Sequence, residues 1–500
     1  MKRNQGLISV FDKTGIVEFC KKVSSRYSFI STGKTAEILN AAKIPVKTVA
    51  NHTGYPEILG GRVKTLHPKI LGGILGTIDN SSEMKEMGIQ PFGLVVVNLY
   101  PFQQVISQPH NLVDTTENID IGGVTLLRAA AKNFREVIVI CSLNDYNSVG
   151  DAIVGDTVSL DLRKELAKKA FLYTAKYDAI ISKYFVEKTN DLFPSTFILN
   201  FENPQDLRYG ENWHQDARYY LQSNKNPFYK QLHGKKVSLN NLMDFHTAMG
   251  LFSEHTEPAC AIIKHTSPCG FACAEDIETA FDHAFATDEL SAFGSAMGFN
   301  RPITENLAIK LNAMFVDAII APQYEKEAYE ILTRKEKIVL CKFEKYEMPQ
   351  YSVRLIPNGL LAQSIDKHVI GEEDLRVVTK RSPTPQEVKD LIFAWKVVKY
   401  VKSNAAVVCI NRKTLGIGMG QPSRVEAVKL ALNRANDRSQ GAVLASDSFF
   451  PFRDSIDAAG EKGIRGIIAS GGSIRDSESI EAADEFKIVM VWTGIRCFRH

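Results

Sequence analysis

The sequence predicts an α/β protein, with an N-terminal doubly wound domain followed by further α/β units. Its 500 residues are too many for one hydrophobic core, so two or three domains are expected. Short apolar runs alternate with helical patterns along the chain, which is typical of parallel sheets covered by helices. With 44% hydrophobic and 23% charged residues, the composition is that of a soluble globular protein.

Charge, hydropathy and cysteine usage argue against several classes of protein. The net charge is only +3 and no long run carries one sign, so a nucleic-acid surface is not expected. No stretch approaches 18 consecutive apolar residues, so no membrane association is expected either. Asp12 and Lys13 follow the first apolar run too closely for a signal peptide. Eight scattered cysteines suit reduced thiols and a cytoplasmic location.

Apolar runs and helical periodicity define the elements of the first domain, residues 1–190. Its strands are apolar on both faces, as expected for buried parallel strands, whose carboxyl ends form the ligand site of a doubly wound sheet. The predicted strands are 7–10, 29–31, 94–99 and 137–141, and the predicted helices lie near 15–25, 34–42, 124–133 and 159–186.

The pattern restarts after a polar, proline-bearing stretch, residues 191–205, that we expect to be a linker. Two subdomains are predicted beyond it, residues 206–370 and 371–500, because the prolines of 381–385 open a new helix there. A duplication is only weakly indicated, since the halves share no more than a helix leading into an apolar strand with a polar tip. The predicted strands are 261–264, 318–321, 405–410, 442–446, 466–470 and 488–492.

Two motifs only partly match the nucleotide-binding patterns that they resemble. Residues 31–35 (STGKT) lack the first glycine of a P-loop, because that position is Ser28. We interpret them either as a helix N-terminus that seats a phosphate or as a capped helix and nothing more. Gly416, Gly418 and Gly420 are spaced GxGxG, which predicts a tight turn or a backbone approach to a ligand.

The stretch from His255 to Cys273 partly resembles a zinc deaminase. His255 and Glu257 form an HxE, and Cys269 and Cys273 follow, but three residues separate the cysteines where the motif needs two. His255 also lies so near in sequence that convergence of these ligands is not expected. We therefore predict no zinc and no other metal site.

The segment IKHTSPCG, residues 263–270, is the strongest candidate for chemistry. Lys264 and His265 end a predicted buried strand, and a Pro/Gly turn is predicted to follow. The pair suits proton and acyl transfer, although most such pairs are plain surface residues. Cys269 is an alternative nucleophile, but the sequence contains no sign of a reactive thiolate.

Two other stretches allow a functional or a structural interpretation. Residues 60–69 (GGRVKTLHPK) place cations and a histidine among turn residues, as in a pocket for an anionic substrate or in a solvated loop. Residues 446–454 (SDSFFPFRD) carry three phenylalanines and a proline after a strand. They suit either a slot for an aromatic ring system or ordinary core packing.

Segments distributed over the whole chain, in family order, resemble the bifunctional AICAR transformylase / IMP cyclohydrolase family of purine biosynthesis. The resemblance rests on SVFDKTG (9–15), GGRVKTLHPKI (60–70), VVVNLYPF (95–102), ENIDIGGVTLLRAAAKNF (117–134), LRYGEN (207–212), IKHTSPCG (263–270), SNAAVV (403–408), GQPSRV (420–425), SDSFFPFRDSID (446–457) and GIRCFRH (494–500).

The resemblance implies a fold and two consecutive reactions. The N-terminal domain would be methylglyoxal-synthase-like, and the rest a pair of cytidine-deaminase-like units without zinc. The second region would transfer a formyl group from the co-substrate 10-formyltetrahydrofolate to AICAR, and the first would close formyl-AICAR to IMP with loss of water. The resemblance also implies a homodimer with transformylase sites between subunits, and it leaves open a monovalent cation. A member that keeps only the transformylase is the alternative.

The resemblance further implies roles for individual residues. His265 would accept the amine proton with Lys264 as its electrostatic partner, Asn404 would orient the reacting groups, and Cys269 would be a bystander. Lys64, Tyr100, Asp120 and Lys132 would catalyse the cyclisation. Residues expected to bind AICAR or folate are Arg208, Tyr209, Asn241, Asp317, Gln421, Arg424, Phe449, Pro451, Phe452, Asp454 and Arg496. Residues expected to bind the cyclohydrolase substrate are Ser9, Lys13, Ser31, Thr32, Lys34, Thr35, Arg62 and Thr65.

Overall fold

The computed structural model describes residues 3–188, 191–223 and 225–500. The chain divides into two compact units, Met1–Asn200 and Phe201–His500, and this division falls within the predicted linker. Residue 190, the predicted end of the first domain, lies outside the described residues. Among the described residues, none of the helices is both long and apolar enough to cross a membrane.

The first unit is a parallel five-stranded sheet with the strand order β3-β2-β1-β4-β5. Its strands are β1 (Gln5–Val10), β2 (Ser28–Ser31), β3 (Val46–Thr48), β4 (Phe92–Asn98) and β5 (Ile138–Ile140). Its helices are α1 (Ile16–Val23), α2 (Gly33–Ala41), α3 (Val49–Thr53), α4 (Pro68–Leu75), α5 (Ser81–Glu86), α6 (Phe102–Ile106), α7 (Leu112–Glu117), α8 (Gly122–Lys132), α9 (Tyr146–Val154) and α10 (Leu160–Lys188).

Burial on both faces explains the unbroken apolar strands of this sheet. Along β4 every residue but the last is buried, because helices cover both sides. The chain runs from β1 to β2 and β3 on one side, then returns to place β4 on the other side of β1. The carboxyl ends of β1 and β4 therefore flank the crevice where ligands bind in doubly wound folds. β3 was not predicted because its sequence, VKT, is not an apolar run and none of its residues is fully buried.

The second unit contains a 12-stranded sheet with the order β16-β21-β20-β19-β17-β18-β10-β9-β11-β12-β13-β8. Its strands are β8 (Lys230–His233), β9 (Ala259–Lys264), β10 (Ser267–Cys273), β11 (Ala296–Phe299), β12 (Ala318–Ala321), β13 (Val339–Lys342), β16 (Arg376–Val377), β17 (Ala406–Ile410), β18 (Lys413–Gly418), β19 (Val443–Ser446), β20 (Gly466–Ala469) and β21 (Val489–Trp492). Two separate hairpins are β6 (Phe201–Asp206) with β7 (Arg218–Gln222), and β14 (Tyr351–Ile356) with β15 (Gly359–Ser364).

The helices of the second unit alternate with these strands. They are α11 (Leu239–Ser253), α12 (Ile277–Phe285), α13 (Glu289–Ala292), α14 (Glu305–Asn312), α15 (Lys326–Leu332), α16 (Pro385–Val398), α17 (Arg424–Ala435), α18 (Asp454–Glu461) and α19 (Asp476–Glu485). The prolines of 381–385 act as predicted, because Thr384 caps α16 and Pro385 is its first residue.

This sheet is a duplication, which the sequence indicated only weakly. Each half contributes a short outer strand, an antiparallel hairpin and three parallel strands, in the same order along the chain. The halves join where β10 runs antiparallel to β18, with Ala272 opposite Lys413. We call residues 230–342 the first repeat and residues 376–492 the second repeat.

The GxGxG glycines do not form a turn or a ligand loop at Gly416 and Gly418. Both lie within β18, where a Cβ atom would overlap the backbone carbonyls of α17. Gly270 of β10 lies equally close to α12 in the first repeat. The absence of side chains lets each helix pack directly on its hairpin. Only Gly420, with φ of 65°, follows the expected turn geometry.

Candidate active sites

The crevice between β1 and β4 gathers many of the residues predicted for the first unit. Asn98, the last residue of β4, accepts hydrogen bonds from the backbone N–H groups of Phe11 (2.6 Å) and Asp12 (2.9 Å). It thereby ties the loop after β1 to the end of β4. The ring of Phe11 contacts Tyr100 edge-on, with 5.5 Å between centroids. Asn98 was not among the predicted site residues, although its amide lies at the carboxyl end of a predicted strand.

Lys64, Tyr100 and Asp120 lie together at this crevice. Burial raises the pKa of the Asp120 carboxyl, while hydrogen bonds from backbone N–H groups and the positive charge of Lys64 act in the opposite direction. Asp120 accepts a hydrogen bond of 2.7 Å from the N–H of Gly123 at the start of α8. The phenol of Tyr177 accepts a 2.8 Å bond from the Asp120 N–H. A half-buried acid with a raised pKa beside an ammonium group is a combination suited to proton transfer.

The hydroxyl residues predicted to bind substrate divide into two groups. Ser9 and Thr32 face each other, with 3.3 Å between their hydroxyl oxygens, at the start of α2. Ser31 and Thr35 are buried and donate to the backbone carbonyls of Ile8 and Val10 at 2.7 and 3.1 Å, so their hydroxyls support the fold. Because no side chain caps α2, its N-terminal N–H groups are available to an anion.

The predicted cations near this crevice have different surroundings. Lys13 donates to the carbonyl of Phe11 at 2.7 Å, and Lys34 is exposed in the first turn of α2. Arg62 forms an ion pair with Glu117, and its side chain is two-thirds exposed. Thr65 is buried beside Gly122, and Gly122 follows shortly after Asp120 in the sequence. Lys34 in this first turn adds positive charge to the N-terminus of α2, whereas the charge of Arg62 is paired with Glu117.

Lys132 does not join this group in the described chain. It ends α8, whereas Asp120 precedes the start of the same helix. Ten residues of helix from Gly122 to Lys132 correspond to about 15 Å. The side chain of Lys132 is exposed at that distal end. The resemblance placed Lys132 with the cyclohydrolase residues, the length of α8 separates it from Asp120, and its role stays a prediction.

In the second unit, Lys264 ends β9 and His265 begins the turn into β10. His265 and Thr266 form the whole turn, so Pro268, Cys269 and Gly270 lie in β10. The predicted Pro/Gly turn is therefore wrong: residues with positive φ make the turn and the proline begins a strand. Lys264 is half-buried and donates a 2.8 Å hydrogen bond to the carbonyl of Phe293, whereas His265 is exposed.

Cys269 is buried within this strand. Its thiol donates to the carbonyl of Ile262 at 3.4 Å, and burial raises its pKa to about 12. A thiol in this state is a poor nucleophile. This agrees with the expectation that Cys269 is a bystander.

Four residues predicted to bind AICAR or folate lie around the N-terminus of α11. Asp317 accepts hydrogen bonds from Asn241 (2.8 Å) and Lys235 (2.5 Å). The guanidinium of Arg208 stacks on the ring of Tyr209 at 4.5 Å, and the carbonyl of Tyr209 accepts from the N–H of Leu239 in α11. Lys235 was not predicted. We call Arg208, Tyr209, Asn241, Lys264, His265 and Asp317 the lysine–histidine site.

The phenylalanine-rich segment forms a cleft of about 420 Å³ on the second repeat. Phe449, Pro451, Phe452 and Asp454 line it together with Asn404 and Arg424, so the structure brings these six predicted residues together. Phe450 is buried in the core instead, and Phe452 is half-exposed. The core interpretation therefore holds for Phe450, and a slot for an aromatic ring system stays a prediction for Phe449 and Phe452. We call this site the phenylalanine cleft.

A buried ion pair fixes one wall of the phenylalanine cleft. Arg424 pairs with Asp447, which is completely buried, and donates to the side-chain oxygen of Asn404 at 2.8 Å. Asn404 also donates a 2.8 Å hydrogen bond to the carbonyl of Gln421, so Gln421 contacts a lining residue of the cleft without lining it. Asp447 was missed as a site residue, although it lies in the quoted motif. It holds the arginine that shapes the cleft.

Two aromatic residues connect Arg496 and Arg475 to the same cleft. Phe498 lines the cleft and stacks under Arg496 at 4.7 Å. Arg475 lies over the ring of Phe452 at 5.0 Å. Neither Phe498 nor Arg475 was predicted, because the sequence does not show that the chain terminus and the loop after β20 meet here.

The lysine–histidine site and the phenylalanine cleft lie on one edge of the sheet but are separate within one chain. From the register, Lys264 at the end of β9 and Asn404 before β17 are three strands apart. At about 4.8 Å per strand this is about 14 Å. Neither Lys264 nor His265 lines the cleft.

At the opposite edge, His255, Glu257 and Cys273 converge, contrary to expectation. Their ligand atoms lie within 4.8 Å of one another, whereas Cys269 is elsewhere. Glu257 is, however, paired with Arg412 at 2.7 Å. Burial and the charges of Lys396 and Arg412 lower the pKa of His255 to about 3. This positive field opposes a cation, and the absence of zinc stays a prediction.

Comparison with known proteins finds relatives over the whole chain. The family described as AICARFT/IMPCHase bienzyme matches residues 130–434, and the family described as MGS-like domain matches residues 15–125. The latter match confirms the predicted fold of the first unit.

Individual relatives are similar along their full length. The bifunctional purine biosynthesis proteins PurH of Oceanobacillus iheyensis and Acetivibrio thermocellus are 45% and 44% identical to this chain, each over 99% of both chains. That of Anoxybacillus flavithermus is 44% identical over 100% of both chains. A solved structure, the crystal structure of ForH, is 32% identical over 36% of this chain and 96% of its own, with a TM-score of 0.33.

Proposed function

This chain belongs to the AICARFT/IMPCHase bienzyme family, and from that premise we propose how its two units divide the work. It is a bifunctional enzyme of purine biosynthesis, with AICAR transformylase and IMP cyclohydrolase activities. The observation that carries this conclusion is the match to bifunctional relatives over 99% of both chains, which includes both units. A member with the transformylase alone would lack that full-length match.

The second unit carries out formyl transfer from 10-formyltetrahydrofolate to the amino group of AICAR. This amine is a weak nucleophile because its lone pair is delocalised into the imidazole ring and carboxamide. His265 takes the amine proton as the new N–C bond forms, and Lys264 stabilises the oxyanion. The proton then goes to the folate nitrogen as its bond to the formyl carbon breaks. The phenylalanine cleft takes the pterin ring, with Asp454 at its edge.

A second copy of the chain completes the transformylase site. Support comes from the separation of about 14 Å between the lysine–histidine site and the phenylalanine cleft within one chain. The hairpin of β14 and β15 also exposes Leu355 (85%), Leu361 (57%) and Val353 (40%), an apolar surface suited to a homodimer contact. The eight unpaired cysteines suit a cytoplasmic enzyme.

Co-expression of two inactive variants tests this arrangement. Lys264→Ala alters one site and Phe452→Ala alters the other. If each site is shared between subunits, half of the randomly formed dimers are heterodimers of the two variants. Each heterodimer has one intact site out of two. About a quarter of the wild-type transformylase activity should therefore return. No recovery in a mixture shown to contain the heterodimer would place the whole site within one chain.

The first unit closes formyl-AICAR to IMP. The carboxamide nitrogen attacks the formyl carbon and water leaves, which requires removal and delivery of protons. Lys64, Tyr100 and Asp120 supply these groups at the crevice, and the start of α2 with Ser9, Lys13 and Thr32 binds the phosphate.

Two assays separate the activities. Lys264→Ala is expected to abolish formyl transfer and leave the cyclisation of supplied formyl-AICAR unchanged. Lys64→Ala is expected to let formyl-AICAR accumulate, and an unchanged rate of IMP formation would show that the cyclohydrolase site lies elsewhere.

Lys132→Ala tests whether Lys132 belongs to the cyclohydrolase site, as the resemblance implies, or lies away from it at the end of α8. Only a residue at the site should lower the rate of closure. Assays with and without K⁺ test whether a monovalent cation supports the transformylase, which the resemblance leaves open.

A further inference from the structure

The turn that presents His265 has an uncommon backbone conformation. His265 and Thr266 both have positive φ values, 54° and 63°, as the two-residue loop of a tight hairpin requires. Glycine and asparagine suit this region, whereas a β-branched threonine is strained there. The surrounding structure must therefore hold this turn.

Asp244 of α11 holds the turn. One of its carboxylate oxygens accepts a 2.7 Å hydrogen bond from the backbone N–H of Thr266. The side chain is buried beneath the hairpin, with 9% of the residue exposed. Across the described chain, its other carboxylate oxygen accepts no hydrogen bond.

In the second repeat an aspartate holds the equivalent hairpin turn in the same way, but that turn carries no lysine–histidine pair. Its hairpin turns at Asn411 and Arg412, again with positive φ values of 49° and 56°. Asp390 of α16 accepts hydrogen bonds from both turn N–H groups, at 3.0 and 2.9 Å, so both of its oxygens are used. The first repeat thus keeps the same aspartate but leaves one oxygen unused beside a functional turn.

We propose that Asp244 is a positioning residue of the transformylase, which fixes the His265–Thr266 turn and so directs the imidazole of His265 toward the AICAR amine. This inference rests on the proposed role of His265. The charged or titratable neighbours of Asp244 lie on several elements. Lys264 and His265 lie on the hairpin itself, Asp317 lies before β12, and Lys402 lies before β17.

The electrostatic surroundings of Asp244 support such a role. The pKa of its carboxyl is raised to about 7, mainly by burial and also by the negative charge of Asp317, while the Thr266 N–H and Lys402 act in the opposite direction. Asp244 therefore loses its proton close to neutral pH. The ionised form is the stronger acceptor for the Thr266 N–H, so the turn is held more firmly above this pKa.

Four variants of the full-length enzyme test the proposal: Asp244→Ala, Asp244→Asn, the matched control Asp390→Asn, and His265→Ala. Formyl transfer is measured from pH 5.5 to 9 with AICAR and 10-formyltetrahydrofolate, and closure of supplied formyl-AICAR reports an intact first unit. A misplacement of about 1 Å in a reacting group costs about 100-fold. Asp244→Ala is therefore expected to lower kcat about 100-fold, with KM for AICAR changed less than about threefold.

The conservative variant separates positioning from a merely structural role. Asp244→Asn keeps an oxygen acceptor, so it should restore much of kcat and lose the rate change near pH 7. Asp390→Asn should lower the melting temperature but keep the wild-type kcat and pH profile. Unchanged kcat and pH profile in Asp244→Asn would overturn the proposal, even if Asp244→Ala fails to fold. Full activity in His265→Ala would instead overturn the proposed function of the site.

Discussion

Keeping Asp244 ionised should destabilise the second unit at alkaline pH, and the size of this effect follows from the structure. Burial raises its carboxyl pKa from 3.8 to about 7, a difference of 7 − 3.8 = 3.2. Each pH unit corresponds to about 1.4 kcal/mol, so the ionised group costs up to about 4 kcal/mol relative to the unfolded chain. Because the folded pKa is the raised one, the stabilising contribution is complete below pH 3.8 and is lost as pH rises through about 7.

Asp244→Asn removes this titration. Between pH 5 and pH 8 the wild type should therefore lose about 3 kcal/mol more unfolding free energy than the variant, because the rest of the titration lies below pH 5. Urea unfolding followed by tryptophan fluorescence measures this in the right unit, because Trp213, Trp395 and Trp492 all lie in the second unit. A wild-type pH dependence that persists in Asp244→Asn would refute the argument. Asp390→Asn, which loses an acceptor in the second repeat, should destabilise at both pH values.

Three further predictions concern packing, charge and thiols. Gly418→Ala should destabilise the second unit by about 3 kcal/mol, because its Cβ would overlap α17. Gly359→Ala, in an exposed hairpin, should change stability by less than about 0.5 kcal/mol. Urea unfolding of both variants measures the difference. Arg424→Met should cost about 3 kcal/mol and weaken folate binding measured by calorimetry, since it leaves Asp447 buried without its partner. Under native conditions a thiol reagent should label Cys141 slowly and the buried cysteines more slowly still, because burial raises its pKa to about 11; rapid labelling of several thiols would contradict this.

The sequence alone determined the α/β class, about half of the strands and the family. Buried parallel strands are continuous apolar runs, so β4 and β12 could be located from hydropathy alone. Family motifs are local, so IKHTSPCG and SDSFFPF were recognisable without a structure. The cap and first turn of α16 were also readable, because proline and threonine act on their own backbone neighbours.

Only the tertiary structure decided which residues meet and which face each helix packs against. The register of the β10–β18 pair makes one sheet from two repeats and separates Lys264 from Asn404 by three strands, which no local pattern encodes. Long-range contacts bring Phe498 to the phenylalanine cleft and Asp244 to the His265 turn. Hydropathy depends on neighbours in sequence, whereas strand pairing and helix packing depend on residues far apart in the chain. For that reason the sequence determined the parts of each site, and the folded structure decided how they are arranged.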